Sequence, residues 1–450
     1  MGDNTSLLLR QKLLDAISAP LPDLTRRDTW IPRLPGKTLA VIGMRRSGKT
    51  SLLWQELADR HRDGLDRTAL PLVSFEDERL IGHGVELLDD LLEQYFLLQP
   101  QWRQPKEAQG RACLFLDEIQ LIPRWDSFIR RVMDTEALDL VVSGSSAQML
   151  SAEIASGLRG RALEAVVWPF SFREALRHAK AEPNKPPSHW SSTERSWLGH
   201  QLAAYLRNGG FPEAQGVDER TRRLLLTNYV DSTVLRDVIE RHDVRQPLAL
   251  QWLVRQLLGN AGGFFSVNRL HGALRSQGIA IGREQLGELV EHLQGAFLIQ
   301  CLGVAGGSLR RQQSLPRKVV PIDPGLIPLY ERSGPANLGH ALETVVIMEL
   351  LRRGAQLSYV RTANGYEVDV LAEHPNGKRE LMQICADLDS PATRTRELRA
   401  LTECLAEPLG QGAEAVVISL DQRQPDSDWP QGVSWRSAVE WLLELHPDPN

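Results

Sequence analysis

Short unbroken apolar runs punctuate the first third of the chain, at residues 39–42, 70–75, 113–116, 138–142 and 163–167. Their lack of polar alternation predicts strands buried on both faces, which is how a parallel sheet sandwiched between helices reads. Between the runs lie segments of helical period, such as SLLWQELADR directly after the first run. From about Thr38 to Phe172 the pattern therefore predicts an α/β domain with a parallel sheet, preceded by a short amphipathic helix in MGDNTSLLLRQKLL.

The pattern then changes. Residues 171–244 read as helical and Arg-rich, broken by AEPNKPPSHWSS and by the helix-stopping Gly209-Gly210-Phe211-Pro212. Ser266 can cap a helix through Leu274, Gly278 makes a turn, a helix follows over 283–294, and a strand over 296–301, an order similar to a winged helix. Beyond Pro316 the text is α/β again. A helix is expected over 338–353 and strands over 356–361, 366–373 and 379–385, the last two joined by the hairpin pair Asn376-Gly377. Helices are expected over 391–406 and 435–445. The division that follows is an N-terminal helical segment 1–30, an α/β core 31–175, a helical lid 176–245, a winged-helix domain 246–315 and a C-terminal α/β domain 316–450.

A length of 450 residues suits several compact units, and 24 % charged with 42 % hydrophobic residues is ordinary globular composition. No uninterrupted apolar run reaches the ~18 residues of a membrane span, and Asp3 stands where a secretory signal wants basic charge, so a cytoplasmic protein without membrane contact is expected. Cys113, Cys301, Cys385 and Cys404 form no CxxC pair, which argues for reduced, mostly buried thiols and against a zinc site or a disulfide framework. A net charge of −5 restricts any nucleic-acid contact to local basic patches.

The first strand runs into Gly43-Met44-Arg45-Arg46-Ser47-Gly48-Lys49-Thr50, a GxxxxGK[ST] loop that opens a helix. Glycines let backbone N–H groups converge on phosphate oxygens at a helix N-terminus, the Lys49 ammonium reaches the β and γ phosphates, and the Thr50 hydroxyl ligates Mg²⁺. Gly43, Arg45, Arg46, Ser47, Gly48, Lys49, Thr50 and Ser51 are thus the expected ATP cradle. Leu114-Phe115-Leu116-Asp117-Glu118 supplies its partner, a buried strand ending in two acids: Asp117 to hold Mg²⁺ and Glu118 to orient the attacking water. The strand 138–142 ends in Ser143-Gly144-Ser145-Ser146, where Ser145 is either a γ-phosphate sensor or the cap of a helix over 147–154. Arg161, with Arg159 second, is the candidate finger for charge on the transferring phosphoryl group, supplied to a neighbouring subunit of an oligomer; a solvated surface pair is the alternative.

GMRRSGKTSLL (43–53), SFEDERL (74–80), LFLDEIQ (114–120), SGSSAQML (143–150), LRGRALEAVVWPFSFREAL (158–176) and GGFPE (209–213) resemble the AAA+-type, STAND-like archaeal and bacterial ATPases that carry a restriction-endonuclease-like C-terminal domain. That resemblance implies an ATPase core, a helical lid, a winged helix and a PD-(D/E)xK fold, with nucleic-acid transactions as the usual inference. It sets Glu76 and Asp77 in a family motif; both also read as helix-entry acids. A PD-(D/E)xK site needs carboxylates around a metal and a helper Lys. Glu343 and Asp369 stand at the first acid positions, but Gln383 and Cys385 occupy the places of the third acid and the Lys, and Lys378 can substitute only if it reaches the same face. Glu343, Asp369 and Gln383 are therefore the candidate ligands of a degenerate metal site, and nuclease activity is not expected.

Basic candidates for DNA contact are Arg269 with Arg275, Arg310-Arg311 with Arg317-Lys318, and Arg394, Arg396 and Arg399, because the helix REQLGELVEHLQ is crowded with Glu. The sequence reads as a Mg²⁺-dependent ATPase acting on DNA, branched, forked or single-stranded. The alternatives are a STAND-like assembly switch and an ATP-gated nuclease.

Overall fold

A computed structural model describes residues 3–104, 110–145, 160–306, 315–331, 338–423 and 429–444. The chain divides into two compact units, Met1–Trp168 and Pro169–Asn450.

In the first unit, helix α1 (Asp3–Ser18) buries Leu9 and Leu13 completely and packs on α3 (Glu86–Leu98). Strands β1 (Thr38–Ile42), β2 (Leu72–Ser74), β3 (Ala112–Asp117), β4 (Leu138–Gly144) and β5 (Ala162–Val166) form one sheet in the order β2-β3-β4-β1-β5. Every pairing is parallel, and all residues of β1 and β3 are buried, as the unbroken apolar runs require. The run 70–75 shrinks to β2 because a 3-10 turn occupies Arg67–Ala69 and the strand pairs only with β3. Helix α2 (Lys49–Arg62) follows β1; α4 (Trp125–Thr135) buries Trp125, Phe128, Ile129 and Val132 on one stripe. Since β4 lies between β1 and β3, the loop after β1 and the acid at the end of β3 face each other across the carboxyl end of β4.

The second unit opens with α5 (Phe172–His178) and α6 (Ser192–Asn208), each started by a Ser/Glu capping box. Helix α7 (Glu219–Thr233) continues into a π-helical stretch, Val234–Glu240, and α8 (Pro247–Leu258) follows. Then come β6 (Phe264–Phe265), α9 (Val267–Ser276), α10 (Arg283–Gly295), β7 (Ile299–Leu302) and β8 (Arg317–Pro321), with the strands in an antiparallel sheet ordered β6-β8-β7. Last are α11 (Leu338–Arg352), β9 (Gln356–Arg361), β10 (Glu367–Glu373), β11 (Arg379–Cys385), α12 (Pro391–Ala406), β12 (Glu414–Ser419), β13 (Val433–Ser437) and α13 (Ala438–Leu443). Their sheet runs β13-β12-β11-β10-β9, antiparallel across β9-β10-β11 and parallel across β11-β12-β13.

The helix expected over 435–445 starts only at Ala438; Trp435 lies in β13, where edge pairing with β12 and an indole N–H donated to Ser419 Oγ at 2.9 Å outweigh the helical period. The helices read as a lid share one hydrophobic core with the C-terminal sheet: Phe172, Leu176, Leu198, Leu202 and Leu206 pack in the same cluster as Leu342, Val346, Met382 and Trp441. GGFPE is a clamp within this unit. A Cβ on Gly209 (φ 76°) would lie 1.9 Å from Asp323 Oδ1, and one on Gly210 would lie 2.1 Å from the Phe170 carbonyl. Gly210 N–H donates to Asp323 Oδ2 at 2.7 Å, Gly325 N–H donates to Oδ1 at 2.9 Å, and Phe170 N–H donates to the Gly210 carbonyl at 2.7 Å. Burial pushes the Asp323 carboxyl up to about 6. All four cysteines are free, with Cys301 half-buried and the others buried.

Candidate nucleotide site

Strand β1 delivers the chain into the loop 43–48, and two glycines there answer different demands. At Gly43 (φ 152°) a Cβ would sit 2.3 Å from the Val167 carbonyl, so the loop is pressed against the end of β5. Gly48 (φ 103°) turns the chain into α2 in the left-handed region that glycine tolerates. The loop is also pinned from outside: buried Arg27 donates to the Ser47 carbonyl at 2.9 Å and the Trp168 carbonyl at 2.5 Å. The Ser47 hydroxyl is fully buried and has no hydrogen-bond partner among the described residues.

Facing the loop, the end of β3 gathers the acids. Thr50 Oγ1 donates to Asp117 Oδ2 at 3.0 Å, and Ser143, at the end of β4, donates to Asp117 Oδ1 while accepting the Glu118 N–H at 3.0 Å. Lys49 Nζ lies 3.3 Å from Glu118 Oε1 and 3.3 Å from the Met44 carbonyl. The Gln120 amide donates to the other Glu118 oxygen. Glu118 itself adopts φ 55°, a conformation that costs a non-glycine residue roughly 1–3 kcal/mol and is kept where the surroundings dictate it. The two acids are driven apart. Burial and the neighbouring Glu118 charge hold Asp117 above its ordinary range, against the Ser143 hydrogen bond. Burial also opposes the charge on Glu118, but Lys49 and Arg45 more than offset it and its pKa is lowered. A hydroxyl and a carboxylate oxygen in contact at a strand end are the donor chemistry of a hard divalent cation, so Thr50 and Asp117 fit Mg²⁺.

Thus Gly43, Ser47, Gly48, Lys49, Thr50, Asp117 and Glu118 come together. Arg46 takes a left-handed φ of 66° in the same loop, and Ser51 is half-buried on the first turn of α2. Arg45 pairs with Glu76 at 3.4 Å, whereas Asp77 caps a 3-10 turn and pairs with Lys12 and Arg79. Ser145 is buried just past β4; the helix expected over 147–154 and Arg159 fall outside the described residues. Arg161 is not brought to this site. The register of β5 on β1 sets Ala162 beside Thr38, so Arg161 precedes β5 at the amino edge of the sheet, roughly 15 Å from the loop at about 3.3 Å per residue. There it pairs with Asp134 at 2.5 Å. Sequence reasoning overlooked Arg27 and Gln120, and favoured Ser145 over Ser143, the hydroxyl that joins both acids.

In the second unit Glu343, Asp369 and Gln383 also converge. The Asp369 N–H donates to Gln383 Oε1 at 3.3 Å, and Gln383 Nε2 donates to Glu397. Lys378 does not reach them: it pairs with Glu380 at 2.9 Å and Glu414 at 3.0 Å. Lys318, expected in a basic patch, is instead buried to 2 % exposure among carboxylates, with Nζ 2.5 Å from Glu343 and 3.0 Å from Asp369. Lys318 loses its solvent-facing role because β8 is the central strand of its sheet.

Fold and loop define an AAA-type P-loop ATPase domain, and residues 35–176 match the family model described as AAA domain. Residues 199–332 match a second model, described as a domain of unknown function. The chain belongs to the family of the uncharacterized protein MJ1544 of Methanocaldococcus jannaschii, to which it is 31 % identical over 407 residues, 89 % of this chain and 86 % of that one. A Haemophilus influenzae protein is 27 % identical over 408 residues, 90 % of this chain and 94 % of that one. Among solved structures, the Walker-type ATPase PABY2304 of Pyrococcus abyssi aligns over 72 % of this chain and 94 % of its own, at 18 % identity and a TM-score of 0.41. The Aeropyrum pernix ORC1 protein in complex with DNA aligns over 73 % of this chain and 91 % of its own, at 15 % identity and a TM-score of 0.26.

Among the described residues no helix is long and apolar enough to cross a membrane.

Proposed function

We propose that the protein is a Mg²⁺-dependent ATPase that couples ATP binding and hydrolysis to conformational change on DNA. The observation that carries the ATPase reading is the meeting of Lys49, Thr50, Asp117 and Glu118 at one sheet edge, joined by Ser143. Loop amides and Lys49 bind the triphosphate; Thr50 and Asp117 would hold Mg²⁺, which supplies charge neutralisation and orients the phosphate oxygens. Glu118, kept ionised by Lys49 and Arg45, is suited to orient the attacking water. Lys49, 3.3 Å from Glu118, is also the ammonium placed for the γ-phosphate, so phosphate binding and the setting of the base share one side chain. Arg161, half-buried at the far edge and paired with Asp134, is the candidate finger for a neighbouring copy in an oligomer, and Ser145 remains the sensor candidate.

The DNA reading rests on the second unit. The order α8-β6-α9-α10-β7-β8 around a three-stranded sheet supports a winged helix. Exposed Arg269 and Arg275 make α9 its basic side, while α10 exposes Glu284, Glu288 and Glu291. The order α11-β9-β10-β11-α12-β12 with a mixed sheet supports a restriction-endonuclease-like domain, retained for DNA binding or assembly rather than cleavage. The test is turnover with single-stranded, forked and four-way DNA at rising salt. Stimulation that weakens steeply with salt supports the reading, and a flat response opposes it. The second reading is a slower, STAND-like assembly switch at the same Lys49–Glu118 pair; nucleotide-dependent assembly without DNA stimulation would favour it.

A further inference from the structure

Lys318 sits at the centre of an acid cage drawn from separate elements. It projects from β8, and its Nζ lies 2.5 Å from Glu343 Oε1 on α11, 3.0 Å from Asp369 Oδ1 and 3.5 Å from Glu367 Oε1, both on β10. An isolated ammonium buried to this degree would be expelled or neutralised. Here the surrounding acids do the opposite: burial opposes its charge, but Asp369 and Glu343 raise its pKa well above the ordinary range.

A restriction-endonuclease-like fold implies a divalent cation at Glu343 and Asp369, and the residues present do not fit one. A hard cation takes six or more oxygen ligands around a point between the acids, and the ammonium nitrogen holds that point. The position of the third acid is an uncharged amide engaged at both ends, Oε1 on the Asp369 N–H and Nε2 on Glu397. The second Asp369 oxygen accepts the Ile384 N–H at 2.9 Å.

We propose that Lys318 is the permanent counter-ion of this cage, standing where a metal ion would, and that it locks the three-stranded sheet to the five-stranded sheet. The inference deepens the non-cleaving reading of the C-terminal domain and is independent of the ATP site. A fixed cation offsets part of the acids' charge without offering exchangeable ligand positions, so the cage has no place for an activated water or a phosphate oxygen.

The test is Mn²⁺ titration of the full-length, nucleotide-free chain, followed by the loss of the free-ion EPR signal, in an Asp117→Asn background that silences the first unit. With Lys318 in place, no bound Mn²⁺ depends on Asp369, so adding Asp369→Asn changes nothing. Lys318→Met creates one Mn²⁺ site that Asp369→Asn removes, and Mn²⁺ raises the melting temperature of Lys318→Met but not that of its parent. Asp369-dependent Mn²⁺ binding with Lys318 present would overturn the proposal, as would a folded Lys318→Met chain that binds none. Should Lys318→Met fail to fold, the titrations with and without Asp369 still decide.

Discussion

Ser143 ties Asp117 to Glu118: the hydroxyl at the end of β4 donates to one Asp117 oxygen and at the same time accepts the backbone N–H of Glu118 at 3.0 Å. One side chain on a neighbouring strand thereby fixes the rotamer of Asp117, the proposed Mg²⁺ ligand, and the left-handed backbone of Glu118, the proposed base.

Removing that hydroxyl leaves a buried carboxylate short of a donor and a buried N–H short of an acceptor. Ser143→Ala is expected to lower stability by about 1–3 kcal/mol and to reduce ATP turnover more than ATP binding, because Glu118 loses its setting. Urea unfolding and a comparison of kcat with KM check both parts, with Ser143→Thr expected to retain most of the wild-type behaviour.

Gly43 touches the end of β5 so closely that Gly43→Ala forces the phosphate loop from the Val167 carbonyl, 2.3 Å from the new methyl. A loss of roughly 3 kcal/mol or more and of nucleotide binding is expected. Gly287→Ala is the control. Its Cβ meets nothing within 4 Å on α10, and helix interiors gain about 0.5–1 kcal/mol from that change.

Asp323 supplies a pH dependence. Its folded pKa of about 6 stands above the ordinary 3.8, so the native state holds the proton more tightly than the unfolded chain, and stability falls as pH rises from about 4 to about 6. Asp323→Asn cannot titrate. The stability difference between wild type and Asp323→Asn is therefore expected to shift against wild type by up to about 3 kcal/mol between pH 4 and pH 7, measured by denaturant unfolding at each pH. No change across this window would show that the clamp at Gly209 and Gly210 leaves the carboxyl unperturbed.

Much of the first unit was legible in the sequence because its chemistry is local. A strand, a glycine loop and a helix are contiguous, and Asp117-Glu118 end a continuous apolar run, so strand direction alone sends them to one edge. The same rule places Arg161 at the other edge, since it precedes the run at 163–167. What the sequence hid depends on contacts between distant segments. Arg27 reaches the loop from 20 residues upstream, and Ser143 is distinguished from Ser145 only by the register of β4 on β3. Gln383 and Cys385 stand where a metal site would want an acid and a Lys, yet the ammonium that sits among the acids, Lys318, lies 51 residues from Asp369 and reads as part of a basic cluster. Trp435 shows the remaining ambiguity, an apolar segment of helical period that becomes an edge strand because β12 offers it a partner.

The most direct test of the central claim is a single-turnover measurement of ATP hydrolysis with Mg²⁺ by wild type, Lys49→Ala and Glu118→Gln, with bound nucleotide quantified in parallel. Wild type should convert ATP to ADP, Lys49→Ala should retain no nucleotide, and Glu118→Gln should retain ATP uncleaved. Hydrolysis at the wild-type rate in Glu118→Gln, or retention of nucleotide by Lys49→Ala equal to wild type, would contradict the assignment of this edge as the site where ATP is bound and split.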